Sequence, residues 1–231
     1  MRLLVIDTSG PVCGVAVMED EKVLCEYTVQ NRNTHSANLM PMTEAALASA
    51  GLEVRDLDAV AAVTGPGSFT GVRIGVATAK GLAHGAGIPC IAVDALESLS
   101  LSAGGFDGVI CPIQDARAGQ VYGAAFREGE RLLPDEPLKL EEYLEKILPL
   151  GGKFLFLGDG MPVHREKIRE ILGGRAVFAQ AHLNYLRPSA AGLLALRETP
   201  TDYLNLQATY LRPPNAQKNR KLLEAMGMKE E

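Results

Sequence analysis

The sequence lacks tryptophan entirely, and aromatic residues make up only 5% of its 231 residues. A binding site built on a tryptophan anchor or cage is therefore excluded. Positive charge is not in excess either, because the net charge is -5. A dominant basic surface for a nucleic-acid backbone is not expected, although a local basic patch stays open.

Long apolar runs are also missing. No run approaches the roughly 18 residues of a membrane-spanning helix, and the N-terminal apolar run stops at Asp7, too early for a secretory signal. The apolar fraction of 47% and the charged fraction of 22% are typical of an ordinary globular protein. Reduced, buried thiols in a cytoplasmic protein are favoured over disulfides or metal ligands, because no C-x-x-C pair occurs among Cys13, Cys25, Cys90 and Cys111.

Hydrophobic patterning predicts a mixed α/β fold for the first part of the chain. Short apolar runs separated by turn residues indicate strands, and apolar residues at three- and four-residue steps indicate helices. We predict strands at 2–7, 12–18 and 22–29, a helix at 35–50, a strand at 58–63, a helix at 70–86, a strand at 89–93 and a helix at 95–102.

A shift in composition at 102–106 predicts a boundary. It divides the chain into an N-terminal half (1–104), a C-terminal half (105–212) and a tail (213–231). After this boundary the opening pattern recurs, since an apolar strand, an acidic residue, a tight turn and a return strand occur at both Asp7 and Asp115. This echo indicates a duplicated unit. The C-terminal half is predicted to contain strands at 108–113, 121–126 and 154–157 and helices at 140–149, 162–172 and 188–197.

The sharpest local feature is the glycine-rich segment 65–71, which opens a predicted helix. Glycines allow close backbone approach, and a helix N-terminus favours anions. The segment matches neither known nucleotide pattern, because Lys80 lies nine residues after Gly71 and Thr70 stands where a dinucleotide fingerprint needs glycine. Phosphate binding and packing within the chain both stay open.

The helix after this segment carries small residues on one face. Gly71, Gly75 and Ala79 recur at intervals of four, so another backbone can approach that face closely. Two interpretations stay open: the face packs on the core of this chain, or it packs on another helix in a complex.

Asp7 ends the first strand and is followed by Thr8 and Ser9. An acid there can face a phosphate-bound metal, or it can cap the turn through its side chain. Asp115 permits the same two interpretations, and Arg117 could pair with it.

Histidine and lysine clusters are sparse. A helical metal site needs a second ligand four residues from His35, and Leu39 stands there. In the tail, Lys218, Arg220 and Lys221 form a small basic patch, which is either merely solvated or a weak contact for RNA.

Several segments, taken together, resemble one known family, TsaB (also called YeaZ). The resemblance runs from residue 2 to about 215, and the glycine-rich segment is its most specific part. The segments that carry it are Leu4–Ser9 with Cys13, His35–Pro41, Gly65–Gly75 with Ala79–Ala83, Asp115–Arg117 with Val121 and Tyr122, Gly158–Gly160, and Ala208–Arg212.

The resemblance implies the actin-like ATPase (ASKHA, Hsp70-like) fold, with two ribonuclease-H-like halves. It also implies a part in the bacterial machinery that places N6-threonylcarbamoyl on adenosine 37 of tRNAs that read codons beginning with A. In that machinery a synthase makes threonylcarbamoyl-adenylate, and the catalytic paralogue TsaD transfers the group. A small ATPase, TsaE, docks on the pair of TsaB and TsaD, and the complex uses ATP and Mg²⁺.

For this chain the resemblance implies a non-catalytic subunit. TsaD holds its metal through an H-x-x-x-H pair, and the corresponding segment here is His35-Ser-Ala-Asn-Leu39. We therefore expect no directly bound metal or cofactor, and we expect tRNA to be held mainly by the complex. The remaining alternative is a stand-alone actin-like-fold ATPase or a glycoprotease-like metallo-hydrolase.

The same resemblance implies that the helices at 35–50 and 70–86 form the heterodimer interface with TsaD, and a homodimer interface when the chain is alone. Asp7, Thr8, Ser9 and Asp115 would then keep the shape of an ancestral nucleotide site. The expected interface residues are His35, Leu39, Met42, Ala46, Gly71, Arg73, Gly75 and Ala79.

Overall fold

A computed structural model describes residues 1–31 and 34–212 and shows two mixed sheets with helices between and outside them. The predicted tail at 213–231 and its basic patch lie outside the described residues. The strands are β1 (Arg2–Asp7), β2 (Cys13–Glu19), β3 (Lys22–Val29), β4 (Ala59–Gly65), β5 (Cys90–Asp94), β6 (Val109–Asp115), β7 (Gln120–Arg127), β8 (Glu130–Lys139), β9 (Phe154–Leu157) and β10 (Ala176–Phe178). The helices are α1 (His35–Ala50), α2 (Phe69–Ala86), α3 (Ala95–Leu101), α4 (Leu140–Ile147), α5 (Gly160–Leu172) and α6 (Pro188–Ala195).

The two sheets have the same topology. The first has the order β3-β2-β1-β4-β5, and the second has the order β8-β7-β6-β9-β10. In each sheet the first strand pairs antiparallel with the second and parallel with the fourth. The predicted mixed α/β class and the predicted duplication are therefore confirmed.

Strand β1 shows why the central strands are continuous apolar runs. Alternate side chains of a strand point to opposite faces of the sheet. Leu3 and Val5 lie in the core between the two sheets, while Leu4 and Ile6 lie in the core beneath α1 and α2. Both faces are covered, so both sets of side chains must be apolar.

The helices form separate layers around the sheets. Helices α3 and α6 lie between the two sheets, where Leu99 and Leu194 share one core with residues of both. Helices α1 and α2 cover the outer face of the first sheet, and α4 and α5 cover the outer face of the second. In the described ranges no helix is both long and apolar enough to cross a membrane.

Two strands were not predicted from the sequence, β8 and β10. Strand β8 contains Pro134 and Pro137, which cannot donate backbone hydrogen bonds and therefore argue against a strand. Both missed strands lie at an edge of the second sheet. An edge strand tolerates proline, because one side of its backbone needs no ladder partner.

The predicted boundary between 1–104 and 105–212 lies between the two sheets, and the end of the chain returns to the first sheet. Helix α6 packs on β1, β2 and β5 of the first sheet. Farther on, Thr201 pairs with Cys90, and the backbone N–H of Thr209 donates to the carbonyl oxygen of Thr64 at 2.7 Å. The inner face of the first sheet is apolar, so the returning chain completes the core of the N-terminal half.

Candidate functional site

Asp7 lies at the end of β1 and is almost fully buried. Its Oδ1 accepts hydrogen bonds from the Ser9 backbone N–H at 2.8 Å and from the Ser9 hydroxyl at 2.7 Å. Burial raises the pKa of Asp7 to about 6, while the Ser9 hydrogen bonds and His35 oppose that rise. The carboxylate thus caps its own turn, as one of the two interpretations predicted.

Thr8 is also engaged within the chain. Its hydroxyl donates to the carbonyl oxygen of Gly71 at 2.7 Å and so ties the end of β1 to the first turn of α2. The hydroxyls of Thr8 and Ser9 therefore both serve the local fold. Their expected role in an ancestral nucleotide site stays a prediction.

Asp115 occupies the equivalent place at the end of β6. Its Oδ1 accepts from the backbone N–H of Arg117 at 3.0 Å, so the expected contact with Arg117 is made through the main chain. The backbone N–H of Asp115 donates to Asp159 Oδ1 at 3.1 Å. Burial and the neighbouring Asp115 carboxylate raise the pKa of Asp159 to about 6. The turn Gly158–Gly160 was the sequence signal for Asp159, but its role was not predicted.

The glycine-rich loop that precedes α2 packs against this chain's own backbone. An added Cβ at Gly65, Gly67 or Gly71 would collide with the carbonyl oxygen of Thr209, Ser9 or Thr8, respectively. The backbone N–H of Ser68 donates to Ser9, and that of Gly71 donates to the Ser68 hydroxyl at 3.2 Å. The close approach that glycine permits is thus used for internal packing, which favours that interpretation over phosphate binding.

The small-residue face of α2 points into the core. A Cβ on Gly75 would lie 2.5 Å from Thr8 Oγ1 and 3.5 Å from an Ile6 methyl carbon, and Ala79 is fully buried. Helix α2 needs these small residues because its backbone approaches β1 closely. Five of the predicted interface residues are buried in the core of this chain: Leu39, Ala46, Gly71, Gly75 and Ala79. Their interface role stays a prediction.

The opposite face of α2 is exposed and also carries small residues. Ala77, Gly81 and Gly85 recur at intervals of four and lie on the surface. A Cβ added at Gly81 or Gly85 would meet no heavy atom within 4 Å. Glycine inside a helix costs about 1 kcal/mol relative to alanine, and no packing within the described chain explains that cost.

Helix α1 extends this exposed face. Its outer positions are mostly small or apolar, and Met40 is 40% exposed. We call the two helices' outer surface the α1/α2 face. It comprises Ala37, Met40, Pro41, Glu44, Ala45 and Ala48 of α1 with Arg73, Ala77, Gly81 and Gly85 of α2.

Three of the predicted interface residues are at least partly exposed: His35, Met42 and Arg73. The guanidinium of Arg73 lies 3.7 Å from the ring centroid of Phe69, and its Nε donates to the Tyr210 hydroxyl at 2.7 Å. His35 donates from Nε2 to the carbonyl oxygen of Gly10 at 3.0 Å, so it supports the turn between β1 and β2. An interface role for these residues stays a prediction.

No three His, Cys, Asp or Glu side chains are grouped to hold a metal ion within residues 1–31 and 34–212. The four cysteines are free thiols, and three of them are buried: Cys13, Cys90 and Cys111. Burial raises the pKa of Cys13 to about 11 and that of Cys111 to about 12. These thiols are therefore protonated at neutral pH and behave as small apolar groups.

Solved structures show the class of fold. A Pseudomonas aeruginosa protein described as similar to the peptidase YeaZ has a TM-score of 0.76 at 26% identity, covering 91% of this chain and 99% of that one. Component A of (R)-2-hydroxyglutaryl-CoA dehydratase from Acidaminococcus fermentans has a TM-score of 0.51 at 11% identity, covering 85% of this chain and 98% of its own, and shows the fold alone. The duplicated sheets are those of the actin-like ATPase (ASKHA) fold, as predicted.

Sequence relatives identify the family. A family model for TsaD, the tRNA N6-adenosine threonylcarbamoyltransferase, matches residues 23–216. The tRNA threonylcarbamoyladenosine biosynthesis protein TsaB of Bacillus subtilis is 36% identical over 221 residues, which cover 94% of this chain and 96% of that protein. The chain belongs to the TsaB (YeaZ) family.

Proposed function

We propose that this chain is a non-catalytic subunit in the biosynthesis of threonylcarbamoyladenosine on tRNA, and that it binds a TsaD-type transferase through the α1/α2 face. The observation that carries the proposal is the exposed strip of Ala77, Gly81 and Gly85. Glycines at the centre of an exposed helix weaken the isolated chain. They allow a second helix to approach the backbone of α2 closely.

The kind of partner follows from the family comparison. The family model that matches residues 23–216 is that of the transferase itself. The transferase and this chain are therefore related in sequence. A partner with equivalent outer helices can pair with the α1/α2 face in a nearly two-fold arrangement, in which each helix pair packs on the other. The same geometry permits a homodimer when the transferase is absent. A TsaE-type ATPase would then dock on the assembled pair.

The non-catalytic role is supported by what His35 and Leu39 do. The His35 ring holds the Gly10 carbonyl oxygen, and Leu39 lies in the core beneath the first sheet. Neither residue is placed to act with the other on a metal. In the complex, ATP, Mg²⁺ and most contacts with tRNA would belong to the partners.

A substitution at the centre of the face tests this proposal. Gly81→Leu adds a large side chain to α2 where the chain itself offers open space. The variant should fold normally by circular dichroism but bind the TsaD-type protein at least about tenfold more weakly in calorimetric titration, a loss of about 1.4 kcal/mol.

Glu145→Leu is the matched control, because it adds an exposed leucine to α4 on the far side of the molecule. It should leave the affinity unchanged. Unaltered binding by Gly81→Leu would show that the partner docks elsewhere.

A further inference from the structure

A small cavity lies between the two halves of the molecule. It has a volume of about 10 Å³, which is roughly enough for one water molecule. Polar side chains from both halves line it, together with apolar atoms of Val12, Leu99 and Leu186. The polar residues of the lining are Asp7 at the end of β1, Ser9 after it, Gln114 on β6, Asp159 before α5, and Asn184 and Tyr185 before α6.

The two amides that line the cavity present oxygen atoms without partners. Gln114 is 5% exposed and Asn184 is 7% exposed. Gln114 Oε1 and Asn184 Oδ1 are both buried and accept no hydrogen bond from the described part of the protein. A buried acceptor without a donor costs about 1–3 kcal/mol. Two such oxygen atoms on one cavity therefore indicate a bound species that contacts both of them.

Charge points to the nature of that partner. Two carboxylates, those of Asp7 and Asp159, line the cavity, and none of its lining residues is basic. The nearest histidines are bonded or paired elsewhere: His35 of α1 donates to Gly10, and His164 of α5 lies 3.7 Å from Asp115 Oδ1.

We propose that this cavity binds one monovalent alkali cation, Na⁺ or K⁺, held by carboxylate oxygens of Asp7 and Asp159 and by amide oxygens of Gln114 and Asn184. Carboxylate and carbonyl oxygens are the ligands that hard cations prefer. Mg²⁺ normally keeps several waters in its octahedral shell, and this volume cannot hold them. A water molecule could donate to only two of the oxygens and would leave both negative charges in place.

Such an ion would have a structural consequence. Asp7 lies in β1 of the first sheet and Gln114 lies in β6 of the second, while Asp159 lies between β9 of the second sheet and α5. One ion bound by all of them joins the two halves at the carboxyl ends of β1 and β6. This role needs neither a nucleotide nor a partner, so it stands apart from the function proposed above.

Thermal unfolding of the purified full chain tests the proposal. Melts at pH 7.5 and constant ionic strength would compare choline chloride with NaCl, KCl and MgCl₂. We expect Tm to rise with Na⁺ or K⁺ by roughly 3 °C for each tenfold increase above the Kd of the ion. Equal Tm values in sodium, potassium and choline would overturn the proposal, and so would stabilisation by Mg²⁺ alone.

Two variants locate the effect. Gln114→Met removes one unpartnered oxygen at similar length, so it should lose the ion response and be at least as stable as the wild type in choline. Glu21→Gln removes an exposed acid elsewhere and should keep the full response. A Gln114→Met variant that keeps the response would contradict the assignment.

A direct measurement does not depend on any variant folding. Excess broadening of the ²³Na NMR line by wild-type protein, reversed by added K⁺, is the expected result. Absence of broadening, together with an absence of K⁺ stabilisation, would contradict the proposal.

Discussion

Gly75 and Gly81 lie on opposite faces of one helix and have opposite surroundings. An added Cβ at Gly75 would press on Thr8 Oγ1, whereas at Gly81 it would meet nothing within 4 Å. The first glycine is required by the fold of this chain. The second glycine lowers the stability of the chain, and no contact within the described residues requires it.

Alanine substitutions at these two glycines should therefore change stability in opposite directions. Gly75→Ala should lower the free energy of unfolding by about 1–3 kcal/mol, because it overpacks the junction of α2 and β1. Gly81→Ala should raise it by about 1 kcal/mol, since alanine favours an exposed helix. Urea unfolding of the two variants measures both. Equal shifts of the same sign would contradict the assignment of the two faces.

The sequence predicted α2 and its small residues but not which face is buried. Gly71, Gly75 and Ala79 form one strip at intervals of four, and Ala77, Gly81 and Gly85 form a second on the other side. Periodicity cannot distinguish them, because both are equally small. Only the position of Thr8 against Gly75 decides which strip faces the core.

At the scale of elements, the edge strand β8 carries an arginine that forms ion pairs with the start of α3, one of the helices between the sheets. Arg131 of β8 pairs with Glu97 at 2.8 Å and with Asp94 at 3.3 Å, both at the start of α3, and it also pairs with Asp135. Burial and the adjacent Asp94 raise the pKa of Asp135 from 3.8 to about 8. One guanidinium cannot balance three carboxylates, so Asp135 holds a proton near neutral pH.

This cluster predicts a pH dependence of stability. The unfolded chain releases the Asp135 proton above about pH 4, whereas the folded chain keeps it until about pH 8. The wild type therefore loses stability as pH rises through that window.

Asp135→Asn imitates the protonated form and should escape the loss. Its advantage over the wild type should grow by more than about 1 kcal/mol between pH 5 and pH 8. Chemical unfolding at a series of pH values measures this difference. A pH-independent difference between the two proteins would show that Asp135 is ionised throughout.

Strand β8 could not be predicted because Pro134 and Pro137 break the usual strand pattern. Its place at a sheet edge makes them acceptable, and edge position is a property of the assembled sheet. The central strands were predicted correctly for the opposite reason. Burial on both faces leaves a continuous apolar run that is visible in the sequence.

For the whole molecule, the duplication was visible in the sequence and the closure of the chain was not. The echo of Asp7 in Asp115 corresponds to two sheets of equal topology. The return of α6 and Thr201–Thr209 to the first sheet joins residues far apart in sequence, which local patterning does not register. The first sheet is thus covered on both faces, and the proposed function depends on the outer surface of α1 and α2, the α1/α2 face.

Reconstituted tRNA modification tests that function most directly. Unmodified tRNA, the threonylcarbamoyl-adenylate synthase product, and the TsaD-type and TsaE-type proteins of the same organism would be combined with and without this chain. We expect threonylcarbamoyladenosine to form only when the chain is present, with Gly81→Ala active and Gly81→Leu inactive. Equal product without the chain would contradict the account.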